Sequence, residues 1–326
     1  EAGTKYILLG ALSSAFLLFG ISQVYGLLGT TRFDGISEAI AMAPNLSPGL
    51  LVGLVFIIAG LGFKIAAVPF HMWAPDVYEG APTPITAYLS VGSKAAAFAV
   101  VLRLFTEALM PAIADWQMIL VILAALTMVV GNLGALVQQN IKRLLAYSSI
   151  GHVGYILLGI ASLAAVGSDN SISVQLSHLA SNGILLHLVA YAITNMAIFM
   201  SISALYNVNG TETISDLAGL AKRAPFVAVV LGVGLFSLAG LPIFVGFTSK
   251  FYLFNAAASQ GLLWLAGLAI FTSLISLYYY LMVLRQIYIE PGDDTSPIQI
   301  PRVTVGILGL LVVSIIFLGV YPAPLM

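Results

Sequence analysis

Apolar runs of about 20 residues or more recur along the chain, and each is long enough to cross a hydrocarbon layer about 30 Å thick. They place nine spans at about 4–28, 48–77, 83–108, 116–138, 143–164, 176–206, 224–257, 262–286 and 302–322. The connections are mostly short and polar, for example TTRFDGISE (30–38), VGSDNS (166–171) and the stretch from Asn207 to Arg223. No linker or shift of composition marks a separate soluble domain. The pattern predicts an all-α integral membrane protein with about nine transmembrane helices.

Two of these spans are interrupted in the same way. The run 48–77 carries Gly60, Gly62 and Pro69 around Lys64, and the run 224–257 carries Gly240, Pro242 and Gly246 before Lys250. The second would be roughly 51 Å long as one continuous helix, too long for a bilayer unless it tilts strongly or breaks. Both are expected to break, one near Pro69 and the other near Pro242 and Gly240. Paired Gly/Pro-interrupted spans in two halves point to an inverted-repeat transporter with its ion site at the breaks. The simpler reading is a pair of proline kinks relieved by neighbouring helices.

Lys64, Lys94 and Lys250 lie deep inside three of the apolar runs. A lysine at the centre of a span costs roughly 2.5–3.5 kcal/mol on insertion scales, so three in one chain suggest a charge pathway. Burial disfavours the ammonium and a nearby carboxylate restores it, which lets such a lysine change protonation state when a neighbouring charge moves. Lys64 and Lys94, if close, would titrate together. The alternative is a structural lysine permanently paired to a carboxylate. Glu1 and Lys5, four apart, would meet on one helix face as an interfacial pair or as part of a path.

Composition agrees with the pattern and removes other classes. Of 326 residues 60% are apolar and 8% charged, and mean hydropathy is +1.05. The formal net charge of −1 is uninformative, but its placement is not. Lys142, Arg143, Lys222, Arg223, Arg285 and Arg302 fall on one face against Arg32 and Arg103 on the other, so the first face is inside. Lys5 falls on the inner face as well. There is no basic tract suited to nucleic acid. Cysteine is absent, which excludes thiolate-held iron–sulfur clusters, disulfides and Cys-based zinc sites in this chain. No HExxH or other metal-ligand spacing joins the histidines, and the glycines of GLGFKIA follow no strand, so neither a metal nor a nucleotide site is expected. The chain opens at Glu1 with neither Met nor leader and is expected to be a piece of a longer one.

Three runs, GLGFKIAAVPFHMWAPDVYEGAPTPITAYLSVGSKAAAFAVVLRLF (60–105), NIKRLLAYSSIGHVGYILLGI (140–160) and SLAGLPIFVGFTSKFYLF (237–254), resemble the proton-translocating, antiporter-like membrane subunits of respiratory complex I. The likeness extends over nearly the whole chain. It implies a fourteen-helix inverted-repeat fold with one broken helix in each five-helix repeat, of which this chain would hold spans six to fourteen. Residues 1–110 would then be the C-terminal part of the first repeat, 115–290 the second repeat, and 300–326 a C-terminal transmembrane helix. Lys64 resembles the lysine of the first broken helix, Lys94 that of the next helix, and Lys250 that of the second broken helix. The family's glutamate partner of the first lysine sits on its fifth span, and no residue here corresponds to it.

The resemblance further implies a multi-pass protein of the cell inner membrane, bound to other membrane subunits of a complex I-like assembly and to the lipid bilayer. It would be an enzyme only as a subunit of an NADH:quinone oxidoreductase. Flavin, iron–sulfur clusters and quinone would belong to partner subunits, with no cofactor held here. Two alternatives stand beside this function: a subunit of an Mrp-type cation/proton antiporter, and a non-conducting membrane scaffold.

Histidine titrates near neutral pH and adds candidates to the path. His187, Tyr191 and Asn195 recur every fourth residue and form one polar stripe, with Gln175 and His178 nearer the end of that span. The stripe suits a hydrated relay between the two halves and equally a helix–helix hydrogen-bond seam. His152 stands among Tyr147, Ser148, Ser149 and Tyr155 and is a second proton-path candidate. His71 reads as a packed or interfacial side chain. Asp76 and Glu79 are expected to serve turns and caps, Lys142 and Arg143 to signal topology, load protons or bind lipid headgroups, and Trp73 and Tyr78 to sit in an aromatic belt.

Overall fold

The computed structural model describes residues 1–43, 46–163, 171–210, 212–292 and 296–323. The VGSDNS connection, apart from Ser171, and the side chain of Gln175 lie outside the described residues.

The helices run α1 (Ala2–Leu28), α2 (Phe33–Met42), α3 (Pro48–Ile65), α4 (Trp73–Gly80), α5 (Thr83–Ala108), α6 (Ile113–Ala135), α7 (Ile141–Ala161), α8 (Ser171–Asn209), α9 (Pro225–Ala239), α10 (Val245–Ser259), α11 (Leu263–Tyr288) and α12 (Arg302–Val320). Among the described residues the β-structure is limited to an isolated bridge between Asn140 and Thr213. Among the described residues eight helices are long and apolar enough to cross a membrane, and α9 is a shorter apolar helix. Counting α3 with α4 and α9 with α10 as broken spans gives the all-α, nine-span architecture expected, a multi-pass membrane protein. α8 departs most from expectation, since 39 residues make roughly 58 Å of helix and exceed one bilayer crossing.

Local chemistry sets the helix ends. Ser47 accepts from the Leu50 N–H at the start of α3, with Pro48 in its first turn. Asn140 caps α7 by accepting from the N–H groups of Lys142 and Arg143. α3 stops where Ala66 turns left-handed (φ 61°), and α9 stops where Gly240 does the same (φ 86°). Pro69 and Pro242 lie in the two intervening turns. Gly60 and Gly62 lie inside α3 and not at its break. A Cβ on Gly60 would stand 2.7 Å from Leu17 Cβ of α1, so this glycine lets two helices touch.

Burial ranks the spans. α7 has 94% of its span buried, against 17% for α1 and 11% for α12, so α7 is the axial helix and the other two face outward. On one end of the bundle Lys5 meets Glu1 at 2.8 Å and Asp76 at 2.6 Å, while Arg143 meets Asp76 at 2.7 Å and Glu79 at 2.8 Å. Lys142, buried, reaches Glu212 at 2.9 Å and the Ala81 carbonyl at 2.7 Å. Asp76 and Glu79 therefore hold an ion cluster, a wider task than turn and cap. Outside the spans at the other end, hydrogen bonds from Arg32 hold the Asp34 carboxyl down to about 2.

Candidate functional site

α7 presents Ser148, Ser149, His152 and Tyr155 within two turns, all at most 4% exposed. A polar side chain in a span needs a partner, and on a helix buried all round the partners come from the helices packed about it. Four neighbouring helices supply them: α5, α6, α8 and α11.

From α5, Lys94 follows a π-helical segment, Leu89–Ser93, and donates its Nζ to Ser149 Oγ. Lys94 is 2% exposed, and its Nζ lies 5.8 Å from the centre of the Tyr78 ring. Tyr191 from α8 donates to the same Ser149 oxygen at 2.8 Å. A cavity of about 10 Å³ lies among Lys94, Ser149, His152 and Tyr191, the room of about one water molecule.

His152 Nδ1 lies 3.2 Å from His187 Nε2 of α8, and their rings are stacked at 5.3 Å. His187 Nδ1 is 3.0 Å from Ser249 Oγ of α10, which itself donates to the Gly246 carbonyl at 3.1 Å. With its hydrogen spent on Gly246, Ser249 accepts from His187. His187 Nε2 is then the acceptor of the proton on His152 Nδ1, an assignment inferred from the network. Of the stripe on α8, His187 and Tyr191 thus face α7, whereas Asn195 turns back to the Tyr191 carbonyl at 2.9 Å. His178 is exposed and stands apart.

Lys250 follows Ser249 and folds back over the second break. It donates to the carbonyls of Leu238 (2.8 Å) and Ala239 (3.1 Å) and to Ser273 Oγ (2.8 Å), which uses all three ammonium hydrogens. Its Nζ is 4.9 Å from the centre of the Tyr155 ring, which also borders both histidines. Gly240 is required here, because a Cβ would meet Lys250 Cδ at 3.1 Å on a backbone already left-handed.

Lys64 differs. It is half-buried in the last turn of α3, with its Nζ 5.9 Å from the Phe63 ring centre. Among the described residues no salt bridge reaches Lys64, Lys94 or Lys250. The structure brings Lys94, His152, His187 and Lys250 into one buried assembly, and it sets Lys64, Pro69 and His71 at the other break. Ser249, Ser273, Asn132 and Thr272 escaped the sequence reading, because a serine or threonine in an apolar helix usually bonds its own backbone. The SKF and TSL runs held the only hint, a hydroxyl beside or facing a lysine. Among the described residues no group of three metal-ligating side chains is found.

Residues 1–276 match a family profile described as NADH:quinone oxidoreductase/Mrp antiporter, TM. NADH-quinone oxidoreductase subunit N of Moorella thermoacetica is 48% identical over the full chain, which spans 66% of that protein. The same-named protein of Rhodospirillum rubrum is 44% identical over 98% of the chain and 63% of its own length. The chain therefore spans somewhat under two thirds of these relatives. Among solved structures, respiratory complex I from Thermus thermophilus with bound aureothin matches 99% of this chain and 67% of its own at 33% identity and TM-score 0.78. An Mrp complex from Dietzia matches at 24% identity and TM-score 0.86, a likeness of fold alone.

Proposed function

The chain belongs to the NADH:quinone oxidoreductase/Mrp antiporter membrane family, and from that premise we propose that it moves protons as a membrane subunit, of the subunit N kind, in an inner-membrane NADH–quinone oxidoreductase. Other membrane subunits would flank it. Flavin, iron–sulfur clusters and quinone would lie in those partners, whose redox chemistry drives the transfer.

The observation that supports this reading is a pair of buried lysines, Lys94 and Lys250, bound by neutral acceptors and both set against α7, one at Ser149 and the other over the Tyr155 ring. Neutral partners leave the ammonium without the carboxylate that would fix its charge. Lys94 passes a proton to the Ser149 hydroxyl and the adjoining water-sized cavity, His152 hands one to His187, and His187 hands one to Ser249 beside Lys250. Each hop runs along a hydrogen bond or across the space of one water. Lys64 would load or receive charge at the first break. A scaffold would gain nothing from two such lysines, each costly inside a membrane. The Mrp reading rests on the shared family profile and fold, whereas the relatives at 48% and 44% identity carry the oxidoreductase name.

Replacement of Lys94 with Arg and with Ala in the whole complex tests this. Arginine keeps the charge but does not deprotonate, so both variants are expected to assemble normally, oxidise NADH and pump poorly. Full pumping by Lys94→Ala at normal assembly overturns the proposal.

A further inference from the structure

A cleft of about 410 Å³ opens on the end of the bundle that bears Lys142, Arg143 and Arg285. Gln138, Gln139, Ser215, Tyr279 and Gln286 stand in its walls beside apolar residues such as Met282, a mixed lining that sets it apart from the apolar lipid-facing surfaces. The positive-inside distribution makes this the inner face.

Tyr279 forms the floor. It is 3% exposed, and its hydroxyl donates to Asn132 Oδ1 at 3.1 Å. Asn132 is 1% exposed and turns its Nδ2 toward the Tyr155 hydroxyl at 3.4 Å and the Met128 carbonyl at 2.8 Å. The Tyr155 hydroxyl lies 3.4 Å from Thr272 Oγ1, and the next residue, Ser273, accepts from Lys250. Polar groups therefore run from the cleft to Lys250, and apolar packing surrounds them. One member breaks the run for proton hopping. A carboxamide holds its protons, so Asn132 can orient two phenols but does not pass a proton between them.

We propose that the cleft is the inner-face water access to Lys250, and that the Tyr279–Asn132 hydrogen bond is its closure. With the bond made, the floor is sealed. When Tyr279 swings off Asn132, water from the cleft reaches Tyr155, Thr272 and Ser273, and a proton reaches Lys250 without crossing from Lys94. The inference rests on the proposed proton-translocating role of Lys250, but water access can be read without any pumping. Neither Tyr279 nor Asn132 is needed for the Lys94-to-Ser249 series.

The experiment uses single cysteines in this cysteine-free region, in the whole complex within sealed vesicles of known orientation. The probe is methanethiosulfonate ethylammonium, added to one face at a time. Ser215→Cys, in the cleft wall, should react quickly from the inner face. Thr272→Cys, below the floor, should react slowly from that face, and Tyr279→Phe should speed it by roughly three- to tenfold, the effect of losing about one net hydrogen bond. Asn132→Ala removes the same bond from the other side and replaces Tyr279→Phe if that variant does not assemble. Unchanged labelling at position 272, or labelling there from the outer face alone, overturns the proposal. Loss of pumping in Lys94→Ala with no floor effect would refute this access and leave the proposed function standing.

Discussion

At the first break, neutral groups take the polar backbone left over where α3 ends: the Trp73 indole donates to the Phe63 carbonyl at 2.9 Å, and Thr127 accepts from the Val68 N–H at 3.0 Å. At the second, the carbonyls left over where α9 ends are taken by the Lys250 ammonium, with Ser273 a second donor to Ala239. A helix C-terminus carries partial negative charge, so a cation is favoured at both ends. Lys64 reaches its terminus as part of α3, with no hydrogen bond at its Nζ among the described contacts. Lys250 reaches across from α10 and becomes the cap. The geometry of the second break therefore depends on a group that can lose a proton, and that of the first does not. Backbone strain follows the same division. Ile243, β-branched, holds φ 81° in the second break, while the first has only the small Ala66 at φ 61°.

The largest expected effect that sharpens this contrast is at Gly240. Gly240→Ala adds a left-handed penalty and pushes Lys250 off its carbonyls, and is expected to destabilise by about 3 kcal/mol. Ala66→Gly, the matching change at the first break, relieves a left-handed residue and should stay within about 1 kcal/mol of the parent. Thermal midpoints of the two variants in detergent check both. Equal losses would remove the asymmetry.

Second in size is the lysine pair itself. Lys250→Met keeps the stem and strips the donors, leaving the Leu238 carbonyl unpaired at a cost of about 2 kcal/mol. Lys64→Met breaks no described hydrogen bond and should leave stability almost unchanged while still impairing transfer. Parallel midpoints and proton-pumping assays separate the two roles. A Lys64→Met variant as unstable as Lys250→Met would mean that both breaks are lysine-capped.

The spans and the membrane class were legible because apolar run length is a local property of the chain. The position of each stop was legible less directly: Gly60 and Gly62 resembled break signals, yet Gly60 serves contact with α1 and Gly62 makes room for Phe70 of the turn, and nothing in the sequence distinguishes a glycine used for close approach from one used for a turn. Lys94, Lys250, His152 and His187 stood out because a charge or imidazole in an apolar run is costly wherever it points. Ser149 was legible only as a neighbour of His152, and Ser249 and Ser273 not at all, since the three belong to three helices and find their partners only after packing. The ion cluster of Lys5, Asp76, Glu79 and Arg143 was hidden for the same reason, its members lying as far as 138 positions apart in the sequence (143 less 5).

The smallest expected effect lies at the neutral cap of the first break. Trp73→Phe deletes the indole N–H that satisfies the Phe63 carbonyl and trims a side chain only 2% exposed, which together should cost about 1–2 kcal/mol. Pumping by the assembled variant should be close to that of the parent, because no group that titrates has lost its partner. Ser273→Ala makes a change of similar size at the second break, removing one acceptor of Lys250 and one donor to Ala239. It should lower pumping more than stability, since in the proposed transfer Lys250 is a site that gains and loses charge. The decisive quantity is the ratio of pumping loss to stability loss in each variant, measured on the same preparations. If Trp73→Phe assembled normally yet pumped no better than Ser273→Ala, the first break would also be coupled to proton state, and the distinction between a neutral cap and a titrating one would fail.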